Sequence, residues 1–501
     1  MLQEPCFRGE PGALEVFCRL AGEKFGMAAG KPGARNLALY DTFDWRLYRN
    51  HLFCWQEEGE LVLSASLYRP PVGQCPAPPG FRFWRDLPPG VARELLDEMA
   101  GPRALRVLAG VKGVEERCLV ECGDNRPALR VHVFTLAPGS PAAGSYLVIG
   151  DREESRPHVM ALKKLAQDCG LEDPGRSMLE DIIRRHGARP GSYSSRPALQ
   201  LENRMPIHEA LIIIYRSLLE IIRANINGIM DDVDTEFLHD FRVATRRTRS
   251  CLSEFRGFLP SPQEEGFRKA FRQLGRRSNT LRDLDVYLMN REKYQAMVPP
   301  GLHPGLHRYF THLEQRREAE HLEFCRHLGT PDFGRMLEDW EALLENAAPG
   351  TQGGTAGVAA GERISARFNS IVQKGSRVSD DSPGEELHRI RIEGKKLRYL
   401  LELFRSCYPE PRVSILVGHL KALQNHLGEY NDLSVQLADL AGQLKREDVS
   451  RLEAASIGGL MALMHRRQSE VRAGFQHCFS EFSSPGNRLL YCTLPMAGTL
   501  E

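Results

Sequence analysis

The chain has 501 residues, 42% hydrophobic and 26% charged, too long for one ordinary domain and apolar enough for two or three folded cores. With 66 Lys and Arg against 65 Asp and Glu the net charge is +1, so no bulk positive charge advertises a nucleic acid or an acidic membrane surface. Any anion site has to come from local patterning. The 12 cysteines include no CxxC, and Cys118 and Cys122 lack a second pair to complete a zinc site, so free thiols in a reducing cytoplasm are expected.

The first residues, MLQEPCFRGEPG, lack a charged segment followed by an apolar one, and no apolar run approaches the length of a membrane span. An unanchored cytoplasmic protein is the expectation. Residues 1–150 mix β-branched and aromatic runs with Pro and Gly punctuation, as in Leu61–Tyr68 and Leu129–Leu136. The second run alternates with period two, which predicts a half-buried strand. Helical patches at Val91–Met99 and His158–Arg185 make this part α+β. A polar stretch from Arg185 to Met205, with Pro190, Gly191 and Pro197, marks a boundary. From Pro206 onward apolar residues recur at helical spacing, and Ala210–Ile222, interrupted by Tyr215, Arg216 and Glu220, reads as a buried helix face. These signals predict an α+β domain over 1–188, a linker over 189–205 and an all-α domain over 206–485. The helical domain divides into halves at 206–346 and 363–485 around a glycine-rich linker at 347–362, and 486–501 form a tail.

The two halves contain an ungapped repeat. His239-Asp-Phe-Arg242-Val-Ala-Thr-Arg246-Arg247-Thr-Arg249 matches His388-Arg-Ile-Arg391-Ile-Glu-Gly-Lys395-Lys396-Leu-Arg398 at an offset of 388 − 239 = 149. The same offset carries Arg272 onto Lys421, Asp283-Leu284 onto Asp432-Leu433, and Val286 onto Val435.

At 100° per residue, His239, Arg242, Arg246 and Arg249 fall in an arc of roughly 80°, as do His388, Arg391, Lys395 and Arg398. Like charges stacked at this spacing disfavour an isolated helix by a few tenths of a kcal/mol per pair, and a function that needs the cluster would explain the cost. Arg offers a planar fork to phosphate oxygens, Lys a point charge, and His a charge that vanishes near neutral pH. A solvated face paired with Asp and Glu of neighbouring helices is the plainer alternative. Asp283, Asp285 and Asp432 follow the stripes; they could cap helices or orient arginines, or with His239 and His388 ligate a divalent ion, against which the crowd of cations argues. Tyr399 and Phe241 read as core.

The HxxRxxxRRxR and HxxRxxxKKxR helices, the segment Arg282-Asp-Leu-Asp-Val286 and the segment Leu427-Gly-Glu-Tyr-Asn-Asp-Leu433 closely resemble the CHAD domain, over about 205–480. The resemblance implies two pseudo-symmetric four-helix halves facing one basic pocket, and binding of inorganic polyphosphate. It also implies that Arg272, Arg276, Arg282 and Lys421 flank the pocket. By the same resemblance the partner is inorganic polyphosphate, in the cytoplasm or at polyphosphate granules. The alternatives are a triphosphate-hydrolysing enzyme that uses the amino-terminal domain and an RNA-binding scaffold; against the latter, the stripes lack the interleaved aromatic residues that single strands favour.

CHAD domains often follow a CYTH domain, an antiparallel β-tunnel family that processes triphosphates with carboxylate-bound metal. Leu39-Tyr-Asp-Thr-Phe-Asp-Trp-Arg-Leu-Tyr-Arg-Asn-His-Leu52 resembles that family's segment after its first strand, and the likeness spans about 10–185. The family opens with Glu-x-Glu-x-Lys on a strand. The nearest stretch here is Glu15-Val-Phe-Cys-Arg19, where Phe17 replaces the second carboxylate, and the later strand Ser145-Tyr-Leu-Val-Ile149 has no Glu. After Leu52, where paired arginines would face phosphate, the chain reads Phe53-Cys-Trp-Gln56, and Lys112, Arg117 and Arg130 read as scattered surface cations. A degenerate CYTH-like domain with no catalytic residues, metal or cofactor is therefore expected, since metal-assisted phosphoryl chemistry needs several oxygen ligands and a cation clamp.

Overall fold

In the amino-terminal part eight strands pair into one antiparallel sheet: β1 (Cys6–Gly9), β2 (Gly33–Thr42), β3 (Phe53–Glu57), β4 (Glu60–Ser64), β5 (Gly73–Pro76), β6 (Leu105–Val120), β7 (Leu129–Leu136) and β8 (Ser145–Ile149). Their order is β1-β8-β7-β6-β2-β3-β4-β5. The computed structural model describes residues 4–122, 128–142, 144–150, 156–257, 263–347, 353–379 and 381–494, so the glycine-rich linker lies partly outside the described residues. The chain divides into two units, Met1–Ser194 and Ser195–Glu501.

Helices α1 (Pro11–Phe25) and α4 (Arg156–Asp168) cover one face of the sheet through Leu14, Phe17, Leu162 and Leu165, which pack on Val120, Val131, Leu147 and Ile149. Helix α5 (Met178–Arg185) covers the other face, against Val111, Phe134 and Tyr146. Both faces being covered, β7 is buried on both sides rather than half-buried as its alternation suggested. Helices α2 (Arg46–Arg49) and α3 (Val91–Ala100) close a third cluster over β3, β4 and β5. The single helical patch expected at 158–185 is two helices, because Gly170 and Gly175 adopt left-handed backbone, φ 80° and 67°, on either side of Pro174.

The second unit is helical: α6 (Ile207–Met230), α7 (Thr235–Glu254), α8 (Glu264–Arg277), α9 (Asn279–Met289), α10 (Arg291–Met297), α11 (His303–Leu328), α12 (Pro331–Glu345), α13 (Ala356–Gly375), α14 (Gly384–Leu403), α15 (Glu410–Gln443), α16 (Arg451–Ala473), α17 (Phe475–Phe482) and α18 (Pro485–Cys492). Adding 149 to the ends of α7, 235 and 254, gives 384 and 403, the ends of α14. Adding it to α8 and α9 places both inside α15. The symmetry is visible in the hydrogen bonds: the Ile207 amide donates to the Gly354 carbonyl at 3.1 Å, and the Ala356 amide donates to the Met205 carbonyl at 2.8 Å. Ile207 and Met205 map onto Ala356 and Gly354 under the same offset, so a local two-fold axis passes between Pro206 and Thr355.

The symmetry breaks at Ser278, where α8 ends and α9 begins. Its buried hydroxyl accepts from Arg242 Nη1 at 2.6 Å and packs back on the Leu274 and Gly275 carbonyls. The counterpart, Leu427, is a buried apolar residue, and α15 runs through it without interruption. Residues expected as a tail include α18, capped by Ser484 with Pro485 in its first turn, whose Tyr491 is fully buried and stacks on Phe368 at 4.1 Å between centroids. Among the described residues no helix is long and apolar enough to cross a membrane.

Candidate anion-binding groove

Helix α7 starts at Asp234, whose side chain accepts from the Glu236 amide at 2.9 Å, and it buries Phe237, Phe241, Ala244 and Leu252. That packing leaves Arg246 and Arg249 on the side that meets α14. From α14 come Arg391, Lys395 and Lys396, and from α8 come Arg268 and Arg272. Together with Arg256, Ser250, Ser253, Ile392 and Tyr399 they line one cavity of about 460 Å³. Eight of its lining residues are Arg or Lys and none is acidic among the described residues.

The electrostatics of the cluster follow from crowding cations with little water. Burial, then Arg391 and Arg246, lower the Lys395 ammonium to about 7, well below the ordinary lysine value. Lys395 and Arg246 are repeat counterparts facing each other across the local axis. Burial and then Arg272, Arg246 and Arg276 lower Arg249 as well. Arg249, Arg256, Arg272 and Lys395 make no ion pair among the described residues. Arg246 and Arg391 each have a buried Nε without a partner among the described residues.

The remaining expected site residues divide by role. Arg242 is buried and is not on a solvated stripe: it donates to the Gly275 carbonyl at 3.1 Å and to Asn279 Oδ1 at 2.9 Å in addition to Ser278. Burial and Arg246 lower it to about 10. Arg282 donates to the Thr235 carbonyl at 3.2 Å, and Arg276 is exposed on α8 beside Arg249. His239 is half-buried on α7, and exposed His388 sits 2.5 Å from Asn431 Oδ1. Arg398 is held by Glu402 at 2.6 Å, and exposed Lys421 is not in the cavity lining.

Of the three carboxylates, Asp432 pairs with Arg391 at 3.2 Å, as an orienting role requires. Asp283 feels Asp432 as a like charge: burial first and then Asp432 raise it, against Arg242 and Arg246. Asp285 does not serve the stripe. It is buried and binds Arg317 of α11 at 2.9 Å, which also grips Asp232, so it ties α9 to α11. Three groove cations escaped the sequence reading: Arg256, Arg268 and Lys396. Arg268 lies one helical turn before Arg272 on α8, so helical spacing finds it, whereas Arg256 lies just past the end of α7 at Glu254, where that spacing no longer applies. Tyr399, expected in the core, is half-buried, lines the cavity, and lies 5.9 Å beneath Arg247.

In the first unit Glu15 and Arg19 lie on helix α1 and not on a strand, with Phe17 buried beneath them. The first strand is Cys6–Gly9, and its Arg8 pairs with Glu172 and Asp181 at 3.2 Å each. Four strands supply an ion network on the α5 face: Arg35 of β2 binds Glu57 of β3 and Glu115 of β6, and His132 of β7 approaches Glu115 at 2.9 Å. Tyr68 stacks on His132 at 3.8 Å between centroids. Burial works to raise Glu115, but His132, Arg117 and Arg35 outweigh it and hold the carboxyl at about 2. Lys112 and Arg130 are exposed on β6 and β7, and all twelve cysteines are free.

The CHAD domain family matches residues 213–441. Among solved structures, the CHAD domain from the plant Ricinus communis aligns with a TM-score of 0.51 at 25% identity, covering 57% of this chain and 95% of that one. PptA from Streptomyces chartreusis aligns at 0.45 and 17% identity, covering 55% and 100%. No curated protein matches the chain.

Proposed function

Residues 213–441 are a CHAD domain, and from that premise we propose that the protein is a non-catalytic binder of inorganic polyphosphate, taken along the groove between α7 and α14. The observation that carries the reading is the lining of that cavity, eight cations from both repeats without a carboxylate. Such a cluster is unfavourable unless an anion occupies it, and a linear polyphosphate repeats its charge along its whole length, as the stripes do. A depressed ammonium in a cleft, with a stated desolvation and charge cause, is a functional-site candidate. RNA fits less well, since bases favour several stacking platforms and Tyr399 is the only aromatic side chain of the lining among the described residues. Residence in the cytoplasm or at polyphosphate granules accompanies this reading.

We read the first unit, whose sequence resembles a CYTH domain, as a scaffold without triphosphatase activity. Glu57 and Glu115 are engaged by Arg35, and β8 carries no Glu to add. Metal-assisted hydrolysis needs carboxylates free to ligate. The test of the proposal is titration of the full chain with long polyphosphate and with single-stranded RNA, each at two salt concentrations. Polyphosphate is expected to bind more tightly, with affinity falling steeply as salt rises, as counterion release dictates for DNA. Tighter RNA binding, or polyphosphate affinity indifferent to salt, contradicts the reading.

A further inference from the structure

The two repeats do not contribute equally to the groove. Counterparts 149 residues apart show why. In the second repeat Glu402 holds Arg398 at 2.6 Å and Arg247 at 2.6 Å, and Gln424 Oε1 accepts from Arg398 at 3.4 Å. In the first repeat the position of Glu402 is Ser253 (402 − 149) and that of Gln424 is Gly275 (424 − 149), so Arg249, the counterpart of Arg398, has neither. Its guanidinium packs over Gly275 so closely that a Cβ there would lie 2.8 Å from Nη1. Beside it Ser250, 7% exposed and lining the cavity, has a buried hydroxyl with no partner among the described residues. The counterpart of Ser250 is Tyr399. Arg391 is partly neutralised by Asp432, and Lys396 lies 3.8 Å from Glu393.

From this asymmetry, and resting on the polyphosphate reading above, we propose that the groove has one strong pole: the first repeat seats the terminal phosphate of the chain on Arg249, Arg272 and the Ser250 hydroxyl, and the second repeat only guides the remainder past Lys395 and Arg391. A terminal phosphate suits that pole because, like a phosphomonoester, it gains a further ionisation near pH 6 and offers more than two oxygens. Unpaired arginine forks and a hydroxyl supply donors in that number.

The experiment uses calorimetric titration of the full chain with tripolyphosphate and with long polyphosphate, comparing Arg249→Ala, Ser253→Glu and Arg398→Ala with the wild type. Ser253 is exposed, so Ser253→Glu recreates the Glu402 pairing on the first repeat without disturbing the core. Arg249→Ala and Ser253→Glu are expected to weaken tripolyphosphate binding about tenfold or more, the size of a lost charge-assisted contact, and Arg398→Ala less than threefold. Thermal melts identify any variant that fails to fold, and Gly275→Ala, which displaces only the end of Arg249, then replaces it. Equal losses from Arg249→Ala and Arg398→Ala overturn the pole while leaving polyphosphate binding in place, as does long polyphosphate binding with no tripolyphosphate binding. A wild type that binds neither overturns both readings.

Discussion

Lys395 shows how a single residue reports on the site. Its ammonium stands at about 7 because burial and two arginines oppose its charge, and a bound polyanion reverses that balance. Binding therefore takes up protons above pH 7, and affinity falls as pH rises from 7 toward the unperturbed value of about 10.4. Calorimetry in buffers of different ionisation enthalpy is expected to show this uptake at pH 8 in the wild type and to lose most of it in Lys395→Met. In the free protein the sign is opposite. The folded value is lowered, so between about 7 and about 10.4 the unfolded chain binds more protons and stability rises with pH. Urea melts at pH 7 and pH 9 measure that slope, and a Lys395→Met slope equal to the wild type's counts against it. Arg242 is the contrasting case. Its spacing placed it on a stripe with Arg246 and Arg249, but periodicity says which residues share a face and not how deep that face is buried. Arg242→Ala leaves the Gly275 carbonyl, Ser278 and Asn279 without their donor and is expected to destabilise by about 1–3 kcal/mol, read from a denaturant midpoint. A midpoint unchanged from the wild type returns Arg242 to the solvated face.

At the level of elements, the repeat was legible because an ungapped offset of 149 preserves both register and helix ends, and α7 and α14 are superposable in sequence to the residue. The interruption of α8 and α9 was not, since it depends on Ser278 meeting Arg242 from another helix. In the first unit β7 and β8 were readable as strands, whereas Glu15–Arg19 was mistaken for one. That segment follows Pro11, which suits the first turn of a helix, and its exposed Glu15 and Arg19 lie one turn apart. The network joining β2, β3, β6 and β7 was invisible because its members lie up to 97 residues apart, as 132 − 35 shows. It makes a testable statement. Glu115 is depressed from the ordinary carboxylate value to about 2, so its contribution is present above about pH 4.5 and is lost as pH falls toward 2. Arg35→Ala removes one of the cations that hold Glu115, leaving His132 and Arg117, and is expected to cost about 1.5–3 kcal/mol and to weaken the acid limb of unfolding. An acid limb identical to the wild type's shows that the network does not govern it.

For the whole molecule, a bulk charge of +1 hides a groove whose lining holds eight cations, and only the pairing of two distant segments brings them together. On the proposed function a long anion would engage both repeats at once, since both line one cavity, and each would raise the effective concentration at the other. Arg246 and Lys395, facing each other across the local axis, are the residues where that coupling is most direct. The measurement that tests the account most plainly is a double-mutant cycle on Arg246→Ala and Lys395→Ala, with long polyphosphate as ligand and thermal melts as the control for folding. The account predicts that each variant folds at least as stably as the wild type, because like-charge repulsion is relieved, that each loses severalfold in affinity, and that the double variant loses binding almost entirely. A double variant that folds normally and binds long polyphosphate as the wild type does contradicts it.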